Sequence, residues 1–297
     1  MDKHETPRAS AGDARLSLHS IGSLFSDSWE LYKERWQVLV EIVLLPTLIV
    51  VLGYVLLSLG FPFSVLGGLI VLIGYIIFIF SMLPLVFSLH HTAGVDESYK
   101  ATIGWFWPFV WITILETLAV MGGFIMLIVP GIWLGVALMF MTYVFVIERR
   151  RGVDALRQSK DYLKGYWWAI VGRVLLLGLM LLAAAIIIEI PVTIITGNAA
   201  RVLVTMVLTL FFVPFSVIYH YIIFKNLREL KPELADAQTT KGTAFIKTSA
   251  IVGFAVPLVM VCALIIALGF GMFHNIKYSD RFAAPAGYGT QYPSPQQ

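Results

Sequence analysis

The sequence predicts an all-α polytopic membrane protein: a transmembrane bundle of about seven spans, a six-helix core plus one, with two amphipathic helices lying along the bilayer surface. Three observations carry this. Of 297 residues, 59% are hydrophobic and 13% charged, with mean hydropathy +0.84. Soluble domains carry roughly 25% charged residues, so a water-facing surface cannot be built from this composition and soluble enzyme folds are excluded. Apolar runs of the length that crosses about 30 Å of hydrocarbon recur seven times, and Lys and Arg collect on alternate connecting segments. The net charge of +3 therefore reports membrane topology, and no nucleic-acid partner is implied. One cysteine, Cys262, allows no intrachain disulfide and no CxxC metal site.

Residues 1–19 are polar, lack the apolar core of a signal peptide and are expected to form a disordered cytoplasmic N-terminus. From Ser20 to Trp36, Ile21, Leu24, Phe25, Trp29, Tyr32 and Trp36 recur at helical spacing opposite Asp27, Glu30, Lys33 and Glu34, which predicts an interfacial helix feeding the first span. The spans are expected at 38–60, 64–89, 106–128, 130–147, 169–191, 202–224 and 248–273, within an integral membrane domain covering 20–275. The third and fourth form one apolar run broken only by Pro130-Gly131, read as a tight hairpin, with a re-entrant pair as the alternative. A second interfacial helix is expected over Val153–Trp168. Sliding it on the first by 131 positions pairs Ser28 with Ser159, Glu30 with Asp161, Lys33 with Lys164 and Trp36 with Trp167, the pattern of an internal duplication or of convergent interfacial chemistry. The last residues, 276–297, become rich in Ala, Pro, Gly, Tyr and Gln and are expected to be a disordered extracytoplasmic tail.

With the N-terminus cytoplasmic, 17 of the 21 Lys and Arg residues lie on inside segments and three on outside segments. This is the positive-inside pattern of a cell (cytoplasmic) membrane protein, and seven crossings place the C-terminus outside.

The stretches SLFSDSWELYKERW, VPGIWLGVALMFMTYVFVIERRRGVDALRQSKDYLKGYWWAIVG and FFVPFSVIYHYIIFKNLREL resemble the membrane domain of the glycerophosphodiester phosphodiesterase type and related prokaryotic multi-pass membrane proteins. The informative residues are a Pro-Gly turn, a Glu at a helix end and an Ala-Leu-x-x-Ser helix ending in Lys-Gly, within residues 20–231. The resemblance implies a membrane domain. It does not carry phosphodiesterase activity, because no stretch is long enough for the catalytic barrel and neither its His-Arg-Gly nor its paired carboxylates occur.

Ionisable groups inside apolar spans are costly and each needs a reason. Glu116, midway along the third span with Thr113 and Thr117 beside it, is the candidate intramembrane polar site, either a structural hydrogen-bonding group or a proton or cation relay. Glu41 and Arg173 share a depth and are a candidate ion pair; snorkelling of each to the interface is the alternative. Glu189, before Pro191, reads as a solvated helix end. Prolines at 46, 84, 191, 214 and 257 are candidate kinks. Candidate lipid-headgroup contacts are Trp29, Trp36, Arg149, Arg150, Arg151, Lys164, Trp167, Trp168, Tyr219 and His220, placed where aromatic belts and basic clusters meet lipid. His90 and His91 are adjacent and unsupported by a second cluster, so no metal and no cofactor is expected. No phosphate-binding loop, HExxH or GxSxG occurs, and no enzyme is expected. The expected function is a non-catalytic membrane domain engaging lipid or a membrane protein partner; the alternative is a small transporter with a midplane site near Glu116.

Overall fold

The computed structural model describes residues 18–196, 198–236 and 243–282, all helical apart from short connections. The expected terminal segments lie outside the described residues except at their inner edges. The helices are α1 (Ile21–Ser58), α2 (Phe63–His91), α3 (Val95–Thr102), α4 (Phe106–Met126), α5 (Ile128–Leu138), α6 (Met141–Ile147), α7 (Val153–Leu163), α8 (Trp167–Thr196), α9 (Asn198–Leu230), α10 (Pro232–Asp236) and α11 (Ala244–Phe282). Seven helical stretches are long and apolar enough to cross a membrane. Their large apolar side chains are exposed in rows, as on α8 at Leu175, Leu179, Leu182 and Ile186. Such surface is stable only against lipid, and the chain is a multi-pass membrane protein.

The first interfacial helix is not a separate element. α1 runs unbroken for 38 residues, about 57 Å, because no Gly or Pro interrupts its hydrogen-bond ladder from Ser23 to Leu45. Ser20 caps it, accepting from the Ser23 N–H at 3.1 Å. Its first half packs on α9 through Phe25 on Tyr219 (5.2 Å between centroids) and Tyr32 on Phe211 (5.0 Å). The second amphipathic segment does form a separate helix, α7, ended by Gly165 at φ +89°. It does not lie on the surface: Ala155, Leu156, Arg157, Gln158, Ser159, Tyr162 and Leu163 are all buried. In the 131-residue register, Leu24, Ser28 and Tyr32 of α1 match Ala155, Ser159 and Leu163, and all six are buried. The two segments bury the same face, although one continues into its span and the other breaks before it.

The hairpin turn between the third and fourth spans falls at Leu127, which is extended, and not at Pro130-Gly131. Pro130 sits in the first turn of α5, where a missing N–H costs nothing, and Gly131 lies against the Phe124 ring. The expected fourth helix is itself divided at Phe140. Ser159 fills the division: its hydroxyl donates to Ala137 O (2.9 Å) and accepts from the Phe140 N–H (3.2 Å).

α11 runs to Phe282, into the stretch expected to begin the tail, and packs along α4. Ser249 meets Gly122 and Met126, and Gly253 meets Leu118, so the two helices are antiparallel. A Cβ on Gly122 would lie 1.7 Å from Ser249 O, so this approach requires glycine. Seven full crossings in strict alternation would make the third and seventh spans parallel. The seven helices therefore do not all cross in that order, and counting crossings no longer places the C-terminus.

Candidate functional site

The resemblance motif folds into a polar knot joining α6, α7, α9 and α10. Glu148, just past α6, has only 3% of its side chain exposed. It accepts hydrogen bonds from the Tyr162 hydroxyl and from Gln158 Nε2 (3.2 Å), and it faces Arg228 Nε at 3.6 Å. Gln158 also donates to Leu234 O, and Arg150 donates to Ala235 O at 3.1 Å, so α10 is held against α7. Burial raises the Glu148 carboxyl above its ordinary range; Tyr162, Arg228, Arg150 and Gln158 oppose this without cancelling it. The Tyr162 hydroxyl is raised too, by burial and then by Glu148. Lys231 Nζ gathers the carbonyls ending α7, Asp161 O (2.8 Å), Tyr162 O (3.0 Å) and Lys164 O (2.6 Å), as a cation at a helix C-terminus should. Glu148 and Ser159, which carry much of the resemblance, thus hold the fold together.

Beside this knot, α5, α7 and the start of α8 enclose a cavity of about 370 Å³ lined by Trp133, Ala137, Lys160, Asp161, Lys164 and Trp167, among others. Among the described residues, the buried Trp167 indole N–H has no hydrogen-bond partner. Trp168 packs edge-on against Trp167 and is 80% exposed; Trp29 and Trp36 are exposed as well. Lys164, Arg149 and Arg151 are exposed too, whereas Arg150, Tyr219 and His220 make contacts within the protein. Arg149 stacks over Trp105 (5.4 Å), Arg151 over Phe145 (5.6 Å), and Arg150 is spent on α10. Tyr219 is fully buried under Phe25, with its hydroxyl donating to Arg173 O at 3.3 Å. His220 Nδ1 lies 2.6 Å from Ser216 O, and the ring borders a 200 Å³ cavity with Met82, Met139 and Tyr143. These two belong to the core because α9 is covered on that side by α1, α2 and α6.

Glu116 lines an open groove of about 520 Å³ between α4 and α5 with Thr117, Val120, Met121, Phe124 and Gly135. Among the described residues it makes no hydrogen bond or ion pair, so the expected structural bond to a neighbouring helix is not formed. Thr113 Oγ1 is buried and likewise without a partner.

The Glu41–Arg173 pair is also not formed. Glu41 is exposed, because Leu39, Ile42 and Val43 take the packed face of α1. Arg173 donates to His19 O (2.8 and 3.2 Å) and Ala169 O (2.9 Å), and the His19 N–H donates to Asn226 Oδ1 (2.9 Å). The start of α1 is thereby clipped to α8 and α9.

Glu189 is more than a solvated helix end: it accepts from Thr205 (3.0 Å) and faces Arg201 at 3.9 Å. Arg201, Thr205 and Thr209 border a cleft of about 620 Å³ whose opposite wall includes Thr47, Tyr54 and Tyr75 of α1 and α2. The cleft went unforeseen, although its polar i, i+4, i+8 stripe in an apolar helix was a visible signal. No family model, curated protein or solved structure matches this chain.

Proposed function

We propose that the chain is a non-catalytic membrane domain that engages lipid, of the type found with glycerophosphodiester phosphodiesterases, in a cell membrane with its N-terminus cytoplasmic. The observation that carries this is the cation- and indole-lined cavity at the start of α8, where the next residue, Trp168, is exposed. Ammonium and indole N–H groups at the edge of an apolar surface suit an anionic headgroup above an acyl chain. Native mass spectrometry of the detergent-purified protein tests it, by titrating phosphatidylglycerol against phosphatidylcholine. Preferential retention of phosphatidylglycerol is expected; equal retention of the two lipids defeats the reading.

A second reading, a small transporter, draws on one observation: Glu116 borders a groove and has no hydrogen-bond or ion-pair partner among the described residues. In a Cys262→Ala background, a cysteine at position 116 should react with a membrane-impermeant thiol reagent if water reaches the groove. Protection from both sides, with labelling of control positions, removes the transporter reading.

A further inference from the structure

We propose that the cleft between α1, α2 and α9 binds a neutral lipid with free hydroxyl groups, a partial glyceride, whose glycerol meets Tyr54, Tyr75 and Thr205. This site stands apart from the cavity at the start of α8 and takes the opposite headgroup chemistry, so it holds or fails independently of that reading.

Size, charge and hydrogen-bonding capacity point the same way. The cleft measures about 620 Å³, the size of a small-molecule site, and Val50, Val51, Phe78, Val202 and Met206 give it the apolar walls an acyl chain needs. Its one charged lining residue, Arg201, faces Glu189 at 3.9 Å, so the charge is already compensated and a carboxylate or phosphate would bring a second anion beside Glu189. The hydroxyls are acceptor-rich. Thr47 donates to Val43 O (2.7 Å), Thr205 to Glu189 Oε1 (3.0 Å) and Thr209 to Thr205 O (2.8 Å), which spends each proton and leaves lone pairs. Tyr54 and Tyr75, both exposed, share one hydrogen bond at 3.3 Å, so the pair keeps a single O–H donor and lone pairs on both oxygens. A set richer in acceptors than in donors, with its charge paired, matches a ligand that donates, and an alcohol does this where an anion cannot. The guanidinium of Arg201 carries further N–H donors, which the ester carbonyl of a glyceride can meet without adding charge.

The test is native mass spectrometry in an amine-oxide detergent, which has no hydroxyl group to compete. Three ligands share one chain: monoolein, methyl oleate, which lacks the hydroxyls, and oleate, which adds a negative charge. Wild type should retain monoolein about fivefold better than either of the others. Tyr54→Phe/Tyr75→Phe keeps both rings and should bring the advantage over methyl oleate to within about twofold. Met206→Trp, which fills the cleft, should lower retention of monoolein and methyl oleate alike, with unchanged circular dichroism melting showing that each variant is folded. The double tyrosine variant should keep whatever preference wild type has for phosphatidylglycerol over phosphatidylcholine, which separates this site from the cavity at the start of α8. Equal retention of monoolein and methyl oleate by wild type overturns the proposal. So does a hydroxyl preference that survives in both variants, and so does tighter retention of oleate than of monoolein.

Discussion

Ser159→Ala should destabilise this protein markedly for the removal of a single oxygen atom. Its hydroxyl makes two bonds between elements: it accepts from the buried Phe140 N–H and donates to Ala137 O across the division between α5 and α6. Alanine leaves the Phe140 N–H without a partner, at about 1–3 kcal/mol, and forfeits a hydrogen bond worth roughly 0.5–1.5 kcal/mol. The expected loss is about 1.5–4.5 kcal/mol. Ser28 is the matched control, since it is equally buried and occupies the equivalent position in the 131-residue register. Its hydroxyl bonds only Leu24 O of its own helix, a carbonyl that the α-helical ladder also serves, so Ser28→Ala should cost less than about 1 kcal/mol. Both variants can be unfolded by denaturing detergent in mixed micelles and followed by circular dichroism. Equal stabilities for the two would refute the argument that Ser159 holds α5, α6 and α7 together.

Three further outcomes are expected. Glu148 titrates above its ordinary range in the folded protein, so the fold binds that proton more tightly than the unfolded chain does, and its contribution to stability falls as pH rises from the ordinary carboxyl range through the raised value. Glu148→Gln should flatten that part of the stability–pH profile, and an unchanged slope counts against the assignment. Arg173→Ala should cost about 1.5–3 kcal/mol by releasing the start of α1, whereas Glu41→Gln should change stability by less than about 0.5 kcal/mol; comparable losses would restore the ion pair. In a Cys262→Ala background, Met126→Cys and Ser249→Cys should form a disulfide crosslink, as expected for antiparallel α4 and α11. Adding Gly122→Val should abolish it, and a crosslink that survives valine would contradict the close approach at Gly122.

The membrane class and the seven apolar helices were legible because they follow from composition and run length, which need no partner. The buried face of α7 was legible too, since the amphipathic spacing of Leu156 and Leu163 marks it, but what covers that face was not. An amphipathic helix against lipid and one against protein have the same pattern, and only the packing of α5, α6 and α9 shows α7 to be enclosed. The basic cluster beside the span is divided by the fold: Arg149 and Arg151 lie over Trp105 and Phe145 while staying exposed, and Arg150 bonds Ala235 O.

Of the candidate site, Lys164 and Trp167 were singled out in advance, while Lys160 and Trp133 were not, because the cavity forms only when α5 meets α7. Depth along the chain suggested Glu41 opposite Arg173, but depth does not specify rotation about the helix axis, and Glu41 points away. By itself the sequence determined what is local or additive: the apolar spans and the charge asymmetry. The tertiary structure decided what depends on which faces meet: the continuity of α1 into its span while packed on α9, the inward turn of Tyr219 and His220, the antiparallel seat of α11 and the pairing of Glu189 with Arg201. The physical reason is that hydrophobic burial is non-directional and can be summed along the chain, whereas hydrogen bonds and close backbone approach require partners from helices far apart in sequence.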